Sequence, residues 1–84
     1  MVTLLLFAAA RDAAGRRSDS FLPGPLDEIL ATAEQRYGAE FSSVLATARV
    51  WVDGEEPADG PATPVAAGSE VAVLPPVSGG AVLD

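Results

Sequence analysis

The residues with the most chemical potential in this chain carry no reactive side chain. Histidine and cysteine are both absent, which excludes Ser–His and Cys–His nucleophilic catalysis. The same absence excludes thiolate metal sites and disulfides. Carboxylates, Tyr37 and five arginines are left for acid–base work. The adjacent acids Asp27-Glu28 and Glu55-Glu56 read as solvated surface rather than as a catalytic dyad. No loop gathers carboxylates at the spacing a hard cation needs, and no glycine loop is shaped to cradle phosphate. By itself the chain is expected to catalyse nothing. The stretch that stands out is Leu74-Pro75-Pro76-Val77-Ser78-Gly79-Gly80, directly after the run Glu70-Val71-Ala72-Val73-Leu74. Two prolines lack N–H groups and fix φ, so a sheet cannot continue through them. They set up a stiff, polyproline-like arm. Gly79 and Gly80 then remove every side chain. Such a segment can thread a narrow channel and bring a bare peptide carbonyl to another protein's active site. A frayed Gly-rich terminus is the plainer reading. It does not account for a stiff Pro-Pro spacer leading from a strand to a Gly-Gly pair.

Pro75-Pro76-Val77-Ser78-Gly79-Gly80 resembles the C-terminal signature of the small, sulfur-carrying subunit of molybdopterin synthase. That subunit is one of the ubiquitin-like β-grasp sulfur carriers, which also include the thiamine-pathway carrier. The resemblance runs from Val2 to Gly80, and the Pro-Pro disfavours the thiamine branch. It implies a chain whose own terminus is the substrate, acting beside a catalytic large subunit. In the family, a separate adenylating (E1-like) activating enzyme uses ATP and magnesium to adenylate the terminal glycine carboxylate. A carboxylate is a poor electrophile, and the adenylate supplies a leaving group. Sulfur from a persulfide donor replaces it and leaves a thiocarboxylate. The large synthase subunit then transfers that sulfur to a pterin precursor. By resemblance, Gly80 carries the adenylate and then the thiocarboxylate. Gly79 and Ser78 line the threaded segment, while Leu74, Pro75, Pro76 and Val77 fix the arm's exit and help form the interface. Phe7-Ala8-Ala9-Ala10-Arg11-Asp12 resembles the family's first strand and the loop after it, which puts Phe7 and Arg11 at a partner interface. Read alone, Phe7 is ordinary core and Arg11 a solvated loop charge. The chain itself is expected to bind no cofactor or metal.

The family ends at the second glycine, whereas here Ala81-Val82-Leu83-Asp84 come after it. With them attached, Gly80 has an amide and cannot be adenylated. Three explanations stand. The chain is a precursor trimmed after Gly80 by a processing protease; or it is a carrier for another pathway (thiamine, cysteine or another sulfur metabolite) that uses such a step; or it is a non-covalent β-grasp interaction module. The retained Gly-Gly argues against the third.

The remaining elements must hold this arm. Residues 2–8 form a continuous apolar run, which suits a strand buried on both faces; a buried helix is the alternative. Residues 9–17 read as a connection with a turn at Gly15. Residues 18–22 read as a second strand pairing back on the first, ended by Pro23-Gly24-Pro25. A helix starts near Leu26, with Leu26, Ile29, Leu30, Ala33 and Tyr37 on one face. Asp27 and Glu28 at its start and Arg36 near its end suit the helix dipole. Gly38 is placed to end it in the left-handed conformation. Phe41, Val44, Leu45 and Ala48 read as a short second helix, and residues 49–52 as a third strand. Asp53-Gly54 is a hairpin signal. Pro57, Pro61 and Pro64 leave an edge strand and loop at best, and the final strand ends at Leu74. This order is that of an α+β, β-grasp (ubiquitin-like) fold: a mixed sheet of four to five strands curled over one main helix, with first and last strands central and parallel. The expected division is a β-grasp domain over residues 1–76 and a flexible arm over residues 77–84.

The 84 residues suffice for one small domain, and 49% hydrophobic content provides its core. A net charge of −7 repels phosphate backbones, so nucleic acid is not an expected partner. With no run long enough to span a membrane and no basic leader, the expected location is the cytoplasm. No lysine is present, so the chain cannot be built into lysine-linked chains of itself.

Overall fold

The computed structural model describes residues 1–76. Strands β1 (Val2–Leu6) and β6 (Glu70–Leu74) run parallel at the centre of a four-stranded sheet of order β2-β1-β6-β4. The edge strands β2 (Ser18–Phe21) and β4 (Arg49–Val52) pair antiparallel to their neighbours. Helix α2 (Leu26–Tyr37) supplies Leu26, Ile29 and Ala33 to the core, and α3 (Ala39–Leu45) supplies Phe41. They meet Val2, Leu4, Leu6, Val71 and Val73 from the two central strands, all essentially inaccessible to water. Each such side chain contributes roughly 1.5–3 kcal/mol through burial. The result is the expected α+β mixed sheet over one main helix.

Several local expectations are corrected. The first strand is not buried on both faces: Val2, Leu4 and Leu6 are buried while Thr3 and Leu5 are half-exposed. Thr3 marks the outward register. The strand also stops at Leu6, short of the expected residue 8, and most of the expected connection over residues 9–17 is helix α1 (Ala8–Ala14). The sequence Ala8-Ala9-Ala10-Arg11-Asp12-Ala13-Ala14 has high intrinsic helix propensity, and Ala10 buries completely. Gly15 closes the helix in the left-handed conformation (φ 77°, ψ 19°), its N–H donating to the Arg11 carbonyl at 2.9 Å. Gly38 ends α2 differently from expectation. Its φ of 102° is positive, but ψ is −173°, so the chain turns sharply into α3 instead of forming a left-handed cap.

Asp53 (φ 52°) and Gly54 (φ 82°) form the anticipated hairpin turn, with reciprocal Val52–Glu55 backbone bonds of 2.8 and 3.1 Å. The prolines after it do not destroy order. A single 3-10 turn (Gly60–Ala62) leads into β5 (Pro64–Val65), which pairs with β3 (Gly24–Pro25) in a separate two-stranded sheet. Thr63, buried between them, accepts the Asp59 N–H on its hydroxyl at 2.9 Å and offers its carbonyl to the first N–H of α2 at 2.8 Å. That bond satisfies a helix-end donor that Pro25, in the capping position, has no side chain to satisfy.

Candidate functional site

Parallel pairing of β1 and β6 brings the ends of both strands to the same end of the sheet. Leu6 lies opposite Val73, and the next N–H, that of Phe7, donates to the Val73 carbonyl at 3.3 Å. Phe7 therefore stands beside the root of the proline arm. It is extended (φ −120°, ψ 151°) and caps α1 through its carbonyl, which accepts the N–H groups of Ala10 and Arg11 at 3.0 and 3.3 Å. Phe7 is 42% exposed, so the core reading of it is replaced by a surface one. Ala8, directly after it, holds φ at 50°, a left-handed conformation that costs an L-residue about 1 kcal/mol. Arg11 sits one turn further along α1, its side chain 47% exposed and 3.7 Å from the carboxylate of its neighbour Asp12. A pair that long and exposed adds little stability, leaving the guanidinium open to other partners.

The arm root obeys the sheet's logic. Leu74 is half-buried, Pro75 buried and Pro76 exposed. Pro75 therefore anchors the exit, and Pro76 is the first fully presented residue. Val77, Ser78, Gly79 and Gly80, which carry the expected chemistry, lie outside the described residues. The register adds a residue that the sequence alone does not single out. Arg49 pairs with Leu74 across β4 and β6, with its side chain 76% exposed. It adds an arginine at the arm's end of an acidic chain; its place there comes from the long-range pairing of β4 with β6, which no local pattern in the sequence announces.

The other strong electrostatic feature is a clamp between edge strand and helix. Asp19 on β2 accepts the Tyr37 hydroxyl at 2.6 Å, an Arg36 N–H at 2.8 Å and the Ser20 N–H at 2.8 Å. Arg16 stands 3.1 Å away. Burial works against the Asp19 charge, but the hydrogen bonds from Tyr37, Arg36 and Ser20 outweigh it and hold the carboxyl at about 2. Burial and the same hydrogen bond push the Tyr37 hydroxyl well above its ordinary range. The Arg36 guanidinium also lies 4.2 Å from the centre of the Phe21 ring. This cluster bonds its charges to one another and is structural. Among the described residues, no acidic group forms a metal-binding cluster, and no helix is long and apolar enough to cross a membrane. The described site is a platform of exposed side chains around an exit point, with no nucleophile–base pair.

The relatives agree with that geometry. The model of the ThiS family matches residues 4–80, ending on the second glycine of the Gly79-Gly80 pair. No curated protein matches. Among solved structures, SAMP1 from Haloferax volcanii is 28% identical, with 93% of this chain and 97% of that one covered and a TM-score of 0.76. A putative molybdopterin converting factor, subunit 1, from Pyrococcus furiosus is 22% identical over 90% of this chain and 97% of its own, with a TM-score of 0.78. The Amycolatopsis orientalis BexX/CysO complex contains a chain 22% identical over 94% of this one and 99% of its own, with a TM-score of 0.79. At 22% identity these last two speak for the fold alone. A match spanning nearly the whole sequence shows the rest: the chain belongs to the ThiS family, the ubiquitin-like sulfur carriers.

Proposed function

We propose that this chain carries sulfur on Gly80 as the small subunit of a molybdopterin synthase, in the biosynthesis of the molybdenum cofactor. One observation carries the reading: a central strand leads without a break into Leu74-Pro75-Pro76, and the family match ends on Gly80. The extension from Ala81 to Asp84 must first be cleaved, because an amide carbonyl offers no carboxylate to ATP. An adenylating enzyme then joins the Gly80 carboxylate to AMP with loss of pyrophosphate. The outer sulfur of a persulfide on a donor protein displaces AMP to give an acyl disulfide, and a second thiol then attacks the donor's sulfur, forming a disulfide with it and releasing the thiocarboxylate on Gly80. The large subunit receives the arm and transfers its sulfur to a pterin precursor. Val77, Ser78 and Gly79 occupy the channel during both steps. Phe7, Arg11, Leu74, Pro75 and Pro76 meet the partner around the channel mouth. ATP and magnesium belong to the activating enzyme.

A second reading keeps the Gly80 chemistry and changes the acceptor, so that the sulfur goes to thiamine, cysteine or another sulfur metabolite. The shared fold of the CysO complex supports it. The test is direct. A chain ending at Gly80, incubated with its cognate activating enzyme and ATP-Mg, releases pyrophosphate and forms an acyl-adenylate, whereas the uncleaved chain does not. Absence of adenylate with a competent enzyme overturns the carrier reading in both forms. Supplying the thiocarboxylate to the large subunit with pterin precursor then separates them, since only the first reading yields molybdopterin. A purely non-covalent module, by contrast, keeps its partner binding when everything after Leu74 is deleted.

A further inference from the structure

The helix side of the molecule carries an open apolar groove of about 410 Å³. Leu26 and Leu30 of α2, Leu45 of α3 and Val50 of β4 form its walls. Leu30, Leu45 and Val50 are only half-buried although they pack against the core. The groove thus exposes aliphatic surface that the fold leaves uncovered, of the kind that marks an interaction site. Its charged lining is wholly acidic: Asp27 and Glu34, two turns apart on α2 and so about 10 Å from one another along the helix. Glu34 keeps one carboxylate oxygen on the Ser42 hydroxyl at 2.9 Å, and Asp27 is exposed. The nearest arginine in sequence to the groove wall, Arg49, is directed to Glu56 at 3.7 Å. Val50 comes directly after Arg49, which pairs with Leu74, so the β4 wall of the groove stands one register step from the last residue of β6.

We propose that this groove docks a basic, aliphatic segment of a partner protein, with leucine-like side chains against Leu30, Leu45 and Val50 and arginine or lysine against Asp27 and Glu34. Charge decides the occupant. A second copy of this chain would bring a net charge of −7 to an acidic rim, and anionic lipid would meet the same repulsion. A cationic segment gains from the rim carboxylates and from the excess negative charge of the whole chain. Binding at this surface is testable whatever chemistry the arm performs.

The probe is a synthetic amphipathic helical peptide with leucines at i, i+3 and i+4 spacing flanked by arginines, titrated into the isotope-labelled full chain and followed by NMR. A matched peptide with glutamates in place of the arginines is the control. The expected result is saturable shifts at Leu30, Leu45, Ala48 and Val50 with the basic peptide only. Asp27→Lys, at an exposed position in the first turn of α2, weakens binding about three- to tenfold, the range expected for losing and reversing one rim charge. Asp27→Asn weakens it less. Three results overturn the proposal: equal binding of the acidic peptide, shifts scattered outside the groove, or no saturable binding. A concentration dependence of the groove resonances without peptide also overturns it, because a second copy is then the occupant.

Discussion

Replacing Asp19 by Asn keeps the shape of the clamp between β2 and α2 and removes its charge. The carboxyl sits at about 2 in the folded chain against an ordinary value of 3.8. A carboxyl lowered in this way stabilises the fold above its unfolded value, and the stability is lost as pH falls through the folded one. Full linkage sets an upper bound of about 2.4 kcal/mol at neutral pH. The Asp19 side chain is only 12% exposed, but its partner Arg36 is 43% exposed, so solvent screening trims the figure to about 1–2 kcal/mol. For a domain this small, that corresponds to a melting temperature lower by about 4–16 °C in the variant. The assay is thermal unfolding by circular dichroism, wild type against Asp19→Asn, from pH 7 down to pH 2. The difference is expected to be full above pH 4, to shrink between pH 4 and pH 2, and to be nearly gone at pH 2, where the wild-type carboxyl is itself taking up a proton. A difference that stays constant across that window would refute the electrostatic account, as would no difference at pH 7.

Other perturbations test separate parts of the structure. Phe41→Ala empties a fully buried ring site and costs about 3–5 kcal/mol, enough to leave much of the chain unfolded by denaturant titration at room temperature. Ala8→Gly relieves the positive φ of 50° and raises stability by about 0.5–1 kcal/mol despite glycine's poor helix propensity; a loss of stability would contradict that backbone conformation. Gly38→Ala forces a Cβ into φ 102° with ψ −173° and destabilises by about 1–3 kcal/mol. Phe7→Ala, at a residue 42% exposed, shifts the melting temperature by no more than a few degrees while weakening binding to the activating enzyme or large subunit at least about tenfold, as for a buried aromatic anchor of an interface. Equal binding would remove Phe7 from that interface.

The strongest periodic signals hold in the structure. The α2 stripe from Leu26 to Tyr37, the Asp53-Gly54 turn and the final strand ending at Leu74 are all where the sequence puts them, because each depends on local spacing or on a conformation few residues tolerate. Residues 8–14 are ambiguous in sequence because alanines continue an apolar strand pattern as readily as they form a helix; only the outward Thr3 and the capping Gly15 distinguish the two. The Asp19 clamp joins residues 17 and 18 apart across strand and helix, and no local pattern announces such a bond. By spacing Tyr37 is one more apolar stripe residue, yet its hydroxyl reaches Asp19 while its ring meets Phe41 edge-on at 5.0 Å. Arg49 acquires meaning only from its register opposite Leu74. At the arm, the position of the exit comes from parallel pairing of the first and last strands, whereas the exposure of Phe7 depends on where β1 stops and α1 begins.

The measurement closest to the central claim is the intact mass of the protein isolated from its own host while the molybdenum cofactor is being made. The sulfur-carrier account predicts a species ending at Gly80 with one carboxylate oxygen replaced by sulfur. A population in which Gly80 remains joined to Ala81 throughout, with no sulfur-bearing form, would contradict it.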